Sequence, residues 1–291
     1  MSSVGALNSL NSLNRANSAM NSTLKKIATG TKHPGASYGA SSYAIAQRTY
    51  SNIGAVRQAN SNTLNTNAML NTAAGAVNNT VNSLTSLREK VLQAANGTNG
   101  KIDVANIQKE VDQTISQINE NAGVTFNGKR LLDGSNTNFA VATQDGYQNV
   151  HLGNMTAQGL GLADEHGNST VNLDELTDAT QTGSTPAADP KGEYSGPVGA
   201  VLKKVDDALN AALDQATSIG AAQQGLNFQS DNLVTTGENL TAAVDTDDDA
   251  DLAAESVRFN NEKTQSQLAM FGVQAHMNLL QNRMGIVDML K

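Results

Sequence analysis

The sequence predicts a mainly α-helical chain: a long antiparallel helical rod of coiled-coil type, a small β-hairpin region, and two terminal helices forming a hairpin. Three observations carry this. Both ends are nearly charge-free helical stripes, with Arg15 the only ionisable side chain in residues 1–24. A stretch of about 55 residues alternates three- and four-residue apolar steps, enough for a rod on the order of 80 Å. Aromatics are only 3% of the chain and Trp is absent, so little is available for one compact globular core, whereas Ala, Leu and Val suffice for seams along paired helices.

The first helix is expected over residues 3–31, with Ala6, Leu10, Leu13, Asn17, Met20, Leu24 and Ile27 on one face. Gly30 and His33-Pro34-Gly35 end it, since a proline disfavours helix in the residue before it. The long pattern starts near Ser42 and reaches Asn96-Gly97, through Val56, Asn60, Thr63, Asn67, Leu70, Ala74, Val77, Val81, Leu84, Arg88 and Val91. Asn60, Thr63 and Asn67 are polar seam positions of the kind that fix register. A shorter helix follows, with Asp103 as expected N-cap, Val104, Ile107, Val111, Ile115 and Ile118 on one side, and Gly123 at its end.

Phe126-Asn127-Gly128-Lys129 reads as a turn, and Leu131 to Gly134 as an extended piece and a second turn. Period-two alternation (Phe139, Val141, Val150, Leu152) is expected from Asn138 to about Val171, with Asp145-Gly146 as a hairpin signal. Residues 177–197 hold three of the four prolines and read as a loop. Helix resumes at Gly199 through Leu202, Val205, Leu209, Ala212, Ala216, Ile219, Leu226, Leu233 and Leu240. The run Asp245–Asp251 interrupts it, read as a solvated helix start where acid suits the dipole. The last helix carries Met270, Val273, Met277, Leu280, Met284 and Val287, and beside them Leu268, Phe271, Ala275, Leu279, Ile286 and Leu290. Two adjacent seams leave little of this helix for water. Chain ends fray unless docked, so both stripes are expected to meet other helices, in other copies of the chain.

Composition excludes several classes. A net charge of −8 and pI near 4.9 oppose nucleic-acid binding, which needs a basic patch. No apolar run is long enough to span a bilayer, and no basic n-region with an apolar h-region begins the chain, so neither membrane insertion nor a cleaved signal peptide is expected. The lack of cysteine excludes disulfides and thiolate metal sites; chance in a small-residue-rich chain, or export of the chain unfolded, accounts for it equally well. The four histidines, His33, His151, His166 and His276, are scattered without an H-E-x-x-H pair. Asp245–Asp251 lacks the glycine and distal Glu of a calcium loop. No metal, cofactor or catalytic constellation is expected, and the chain does not read as an enzyme.

Several motifs, in order, resemble bacterial flagellin over most of the chain. They are Leu7-Asn-Ser-Leu-Asn-Ser-Leu13, Ile27-Ala-Thr-Gly30, Ala44-Ile-Ala-Gln-Arg48, Leu87 to Gly97, Thr125-Phe-Asn-Gly128 with Leu131-Leu132, Asn239-Leu-Thr-Ala-Ala243 and Ala250-Asp-Leu-Ala-Ala-Glu255. The resemblance implies a self-assembling filament subunit used for motility. Residues 1–33 and 257–291 would form an inner tube, 34–42 a connector, 43–137 and 198–256 the rod, and 138–197 a β-hairpin and loop region at the rod tip. Inner-tube packing would fall to Leu7, Leu10, Leu13, Met20, Leu24, Ile27, Leu268, Val273, Met277, Leu280, Met284 and Val287. Implied partners are copies of itself, an export chaperone on the C-terminal helices, and hook-associated junction and cap proteins. Export would run unfolded through the flagellar type III apparatus.

The chain departs from the family at Pro34–Ser42, which lacks the usual charges, at Asn282-Arg283-Met284, which lacks the usual proline, and in its more acidic Asp245–Asp251. Flagellins detected by a vertebrate Toll-like receptor carry Q-R-x-R-E-L in the rod. Here Arg88, Glu89 and Glu110 match, Ser86 replaces the central Arg, Lys90 replaces the Leu, and Gln93 completes the region. Weak or absent recognition is expected; the alternative role of Arg88 and Glu110 is packing between protomers. A hook–filament junction protein is the nearest rival reading, and an adhesin-like module at 138–197 a more distant one.

Overall fold

The structure, a computed structural model, describes residues 2–143, 146–173 and 197–289, with side chains described for 4–143, 146–173 and 198–284. The described residues are 75% helical, in keeping with the mainly α-helical patterning. Helix α1 spans Ser2–Thr29, α2 Ala40–Ala94, α3 Lys101–Ala122, α4 Pro197–Asp248 and α5 Leu252–Met289. Between α3 and α4 lie two hairpins, β1 (Thr125–Phe126) with β2 (Lys129–Arg130) and β3 (Asn138–Thr143) with β4 (Gly146–His151). Two compact units result: residues Met1–Ala55 with Thr236–Lys291, and Val56–Thr235.

The Val56–Thr235 unit is a three-helix core with an irregular segment packed on it. On α2, Val56, Thr63, Leu70, Val77, Leu84 and Val91 recur every seventh residue, and all are at most 1% exposed. On α4, Val205, Ala212, Ile219, Leu226 and Leu233 recur with the same spacing and are also buried. Matching heptads let a continuous seam face its partner along the helix length. Polar pairs fix the register: Asn60 with Ser230 at 2.6 Å, Asn67 with Asn227 at 2.6 Å, and Asn71 with Gln223 at 2.8 Å. Residue numbers fall on α4 as they rise on α2, so the pair is antiparallel. Helix α3 adds Val104, Ile107, Val111, Ile115 and Ile118 to the same core.

Asp103 lies at the third position of α3 rather than at its cap. Gly100 is the cap residue, and its N–H donates to the Asp103 carboxylate at 3.0 Å, so acid still meets the helix N-terminus. Asn127 and Gly128, both at positive φ (49° and 76°), form the two-residue β1–β2 turn. The connection between β3 and β4 falls on residues 144–145, outside the described residues, as does most of the proline-rich stretch 177–197.

Period-two alternation does not continue to Val171. Residues 152–173 are turns with one isolated bridge, Ala163 to Ser169. Their buried Leu152, Leu160, Leu162, Val171 and Leu173 belong to the helical core instead of a sheet. Helix side chains supply the hydrogen bonds that a ladder would have given. Gln108 donates to the Val171 carbonyl (3.0 Å) and accepts from Leu173 N–H (2.8 Å), Asn119 accepts from Ala157 N–H (2.8 Å), and Gln215 accepts from Gly153 N–H (2.8 Å). Backbone groups so close to a core need such partners.

Candidate interaction surface on the terminal helices

Helices α1 and α5 pair antiparallel inside the Met1–Ala55/Thr236–Lys291 unit. The faces they turn to each other are small and polar. The Gly5 backbone sits against the His276 ring, where an added Cβ would lie 2.7 Å from the imidazole. Gly272 faces Ser9, with 3.1 Å between an added Cβ and the Ser9 hydroxyl. The Ser266 hydroxyl donates to Asn17 at 2.8 Å, and Lys26 pairs with Glu255 at 3.5 Å. Ala16, Thr23, Glu255 and Ser266 are buried.

The large apolar side chains point the other way. Val4, Leu7, Leu10 and Leu24 on α1 and Leu252, Val257, Leu268, Met270, Phe271, Met277, Leu279, Leu280 and Met284 on α5 are exposed; Leu7 is 57% accessible and Phe271 67%. Leu13, Met20, Ile27 and Val273 are half-buried between the two faces. The side chain of Val287 lies outside the described residues. Scattered exposed leucines are ordinary, but thirteen large apolar side chains exposed on one helix pair with a polar seam suit a surface that meets a partner.

A clasp that the sequence reading missed closes the other end of this hairpin. The chain breaks after α1 and after α4 lie side by side. Lys32 N–H donates to the Asp248 carbonyl at 2.5 Å, Ala250 N–H to the Gly30 carbonyl at 2.8 Å, and Thr31 bridges Asp249. Asp248, 3% exposed, accepts from the His33 backbone N–H at 3.2 Å and meets its ring nitrogen Nδ1 at 3.1 Å. The Asp245–Asp251 run is therefore divided. Residues 245–248 form the last turn of α4, where their charge opposes the helix dipole. The Lys32 ammonium offsets this by donating to the carbonyls of Thr246 (2.9 Å) and Asp247 (3.2 Å). Only Asp251 acts at a helix start, capping α5 through the N–H groups of Ala253 and Ala254, both at 3.0 Å. Partial burial of the Tyr50 hydroxyl, then the carboxylates of Asp248, Asp249 and Asp245, push its phenol above the ordinary value. In the sequence only a basic pair, Lys32-His33, and a distant acidic run hinted at this contact.

Of the α2 and α3 residues singled out above, Arg88, Lys90 and Glu110 are already engaged within the chain. Arg88 Nε donates to Asp206 at 2.7 Å, and Lys90 pairs with Glu110. Ser86 is half-buried, while Glu89 and Gln93 are exposed. Among the described residues no group of three or more potential metal ligands occurs, and no helix is long and apolar enough to cross a membrane.

Comparison with known proteins places these features. Residues 2–137 match the bacterial flagellin N-terminal helical region, and residues 202–284 the C-terminal helical region. The chain is 28% identical to a flagellar filament 30.7 kDa core protein of Treponema maltophilum over 85% of each chain. A solved flagellar hook-associated protein of Vibrio parahaemolyticus shares the fold (TM-score 0.54, 19% identity, covering 72% of this chain and 99% of that one). Flagellin of Bacillus subtilis is 32% identical across 92% of this chain and 93% of its own length. With both helical regions matched and that relative spanned almost end to end, the chain belongs to the bacterial flagellins, the structural subunits of the flagellar filament.

Proposed function

We propose that the outward stripes of α1 and α5 are the surfaces through which copies of this chain hold one another, residues 1–33 and 257–291 forming the inner tube of the filament. The observation that carries this is the inverted hairpin, polar between its helices and apolar outside. Side chains such as Leu7, Leu10, Leu24, Leu268 and Met277 are about half exposed, so burying the remainder contributes roughly 1 kcal/mol each, before ordering costs are subtracted. Leu280 and Met284 extend the stripe, and Leu13, Met20, Ile27 and Val273 flank it; Val287 is assigned to the same packing by its sequence position alone. Residues 43–137 and 198–256 act as the rod, 34–42 as its connector and 138–197 as its tip. Electron microscopy of purified protein seeded with filament fragments tests the reading. Continuous elongation is expected; a capped end that stops growing indicates a junction protein, and unchanged monomer sinks the proposal.

The same α5 stripe suits an export chaperone, which would shield it until the chain leaves the cell unfolded through the flagellar export apparatus. Junction and cap proteins would meet it at the filament ends. Recognition by a vertebrate Toll-like receptor is expected to be weak. Ser86 offers no guanidinium, and Arg88 and Glu110 already have partners in Asp206 and Lys90.

A further inference from the structure

The chain has three Asn-Gly pairs, Asn96-Gly97, Asn99-Gly100 and Asn127-Gly128, and the structure places them in three different environments. We infer that Asn96, in the α2–α3 connection, is a self-processing site that converts to aspartate and isoaspartate through a cyclic imide, while the other two pairs are held back by the fold.

The reaction needs a backbone nitrogen free to reach the side-chain amide of the residue before it, and glycine at that nitrogen imposes no Cβ in the way. At Asn96 those conditions are met. Asn96 and Gly97 are both exposed, and no hydrogen bond engages the Gly97 N–H among the described residues. Asn96 Oδ1 accepts from the Thr98 N–H at 3.4 Å, a long contact that sits where negative charge develops when the amide carbon is attacked.

Asn99 differs on both counts. Its Nδ2, the atom that must leave, donates to the Gln93 carbonyl at 2.5 Å. Its nucleophile is also held, because the Gly100 N–H donates to the Asp103 carboxylate at 3.0 Å. Asn127 is fixed at φ 49° in the two-residue turn that joins β1 to β2, where Phe126 pairs with Lys129. Swinging the Gly128 nitrogen onto the Asn127 amide carbon would break that register.

The step balances with water as the only co-reactant. The Gly97 nitrogen loses its proton to solvent base and bonds to Asn96 Cγ, and the Cγ–Nδ2 bond breaks, releasing ammonia. Water then opens the imide at either carbonyl, giving aspartate or isoaspartate at position 96. The product adds a negative charge to a chain already at −8, and the iso form inserts an extra backbone carbon between α2 and α3.

Ageing the folded full-length protein in mildly alkaline buffer, followed by peptide mapping with tandem mass spectrometry, tests this. Asn96 is expected to convert first, with both aspartate isomers present. In a denatured control the three pairs should react at comparable rates. Gly97→Ala should slow conversion at Asn96 severalfold without disturbing the fold, since no atom lies within 4 Å of an added Cβ there. The inference is overturned if Asn99 or Asn127 converts first in the folded chain, if Asn96 keeps its amide, or if Gly97→Ala leaves the rate unchanged.

Discussion

Asp248 is the residue on which the α1–α2 and α4–α5 breaks converge. Its carboxylate serves both the backbone and the ring of His33, and its carbonyl accepts from Lys32. Asp248→Ala removes the carboxylate and leaves part-buried donors unpaired, a loss of about 1–3 kcal/mol. Hydrogen exchange at the Lys32, His33 and Ala250 amides should accelerate accordingly; unchanged protection would show that the clasp does not depend on the side chain. Two other carboxylates give a pH expectation. Hydrogen bonds from the Ser135 hydroxyl and N–H, aided by Arg130, hold Asp133 below the ordinary carboxylate value. Those from Asn168, then His166 and Gly167, do the same for Asp164. A depressed folded value means the turns gain stability above the unfolded pKa of about 3.9 and lose it as pH falls through the folded one. Protection of the Ser135, His166 and Asn168 amides, taken as exchange relative to the unfolded chain at the same pH, should thus stay flat from neutrality down to about pH 5 and fall only in stronger acid. Loosening near neutrality would contradict this. At Ser86, the missing Arg anchor predicts a reporter-cell response well below that of a flagellin carrying it, since such an anchor is commonly worth more than about 2 kcal/mol. Full potency would overturn that expectation.

Elements show how the same amino acid serves two purposes. Leu84 on α2 is fully buried, while Leu24 on α1 is 49% exposed. Leu84→Ala should cost the Val56–Thr235 unit about 2–5 kcal/mol of stability, read as a lower denaturant midpoint, because the cavity cannot fully collapse. Leu24→Ala should change monomer stability by no more than about 0.5 kcal/mol yet raise the concentration needed for seeded growth. If Leu24→Ala polymerises as readily as the parent chain, the outward stripe is not the assembly surface. The helices themselves were legible: α2 and α3 start and end close to the positions that patterning gives, and Asn60 and Asn67 do occupy register-fixing pairs. The irregular segment 152–173 was not, because its apolar residues alternate like a strand. Burial against α3 and α4, with Gln108, Asn119 and Gln215 supplying hydrogen bonds, replaces the sheet that alternation implies.

For the whole chain, folding of the ends and polymerisation are expected to be one event. A pair of helices with a polar interface and apolar exterior gains little from its own contacts, and isolated helices are marginal in water. Each copy would order the ends of its neighbours, with head-to-tail contacts that do not close growing an open helix. Deleting residues 1–30 or 260–291 should therefore leave a soluble monomer in the seeding assay, and filaments from either deletion would refute that account. The sequence by itself determined the helices, their heptads and the family, because periodicity and motif order are local properties of the chain. Only the tertiary structure decided which face of α1 meets α5, that Leu7, Leu10 and Leu24 turn outward, and that Lys32 and His33 clasp Asp248. On the ends, apolar residues cover more than one helical face, so pattern alone cannot say which face the chain keeps for itself. That choice falls to size and hydrogen bonding, where Gly5, Ser9, Asn17, Ser266 and Gly272 allow close approach and the leucines do not.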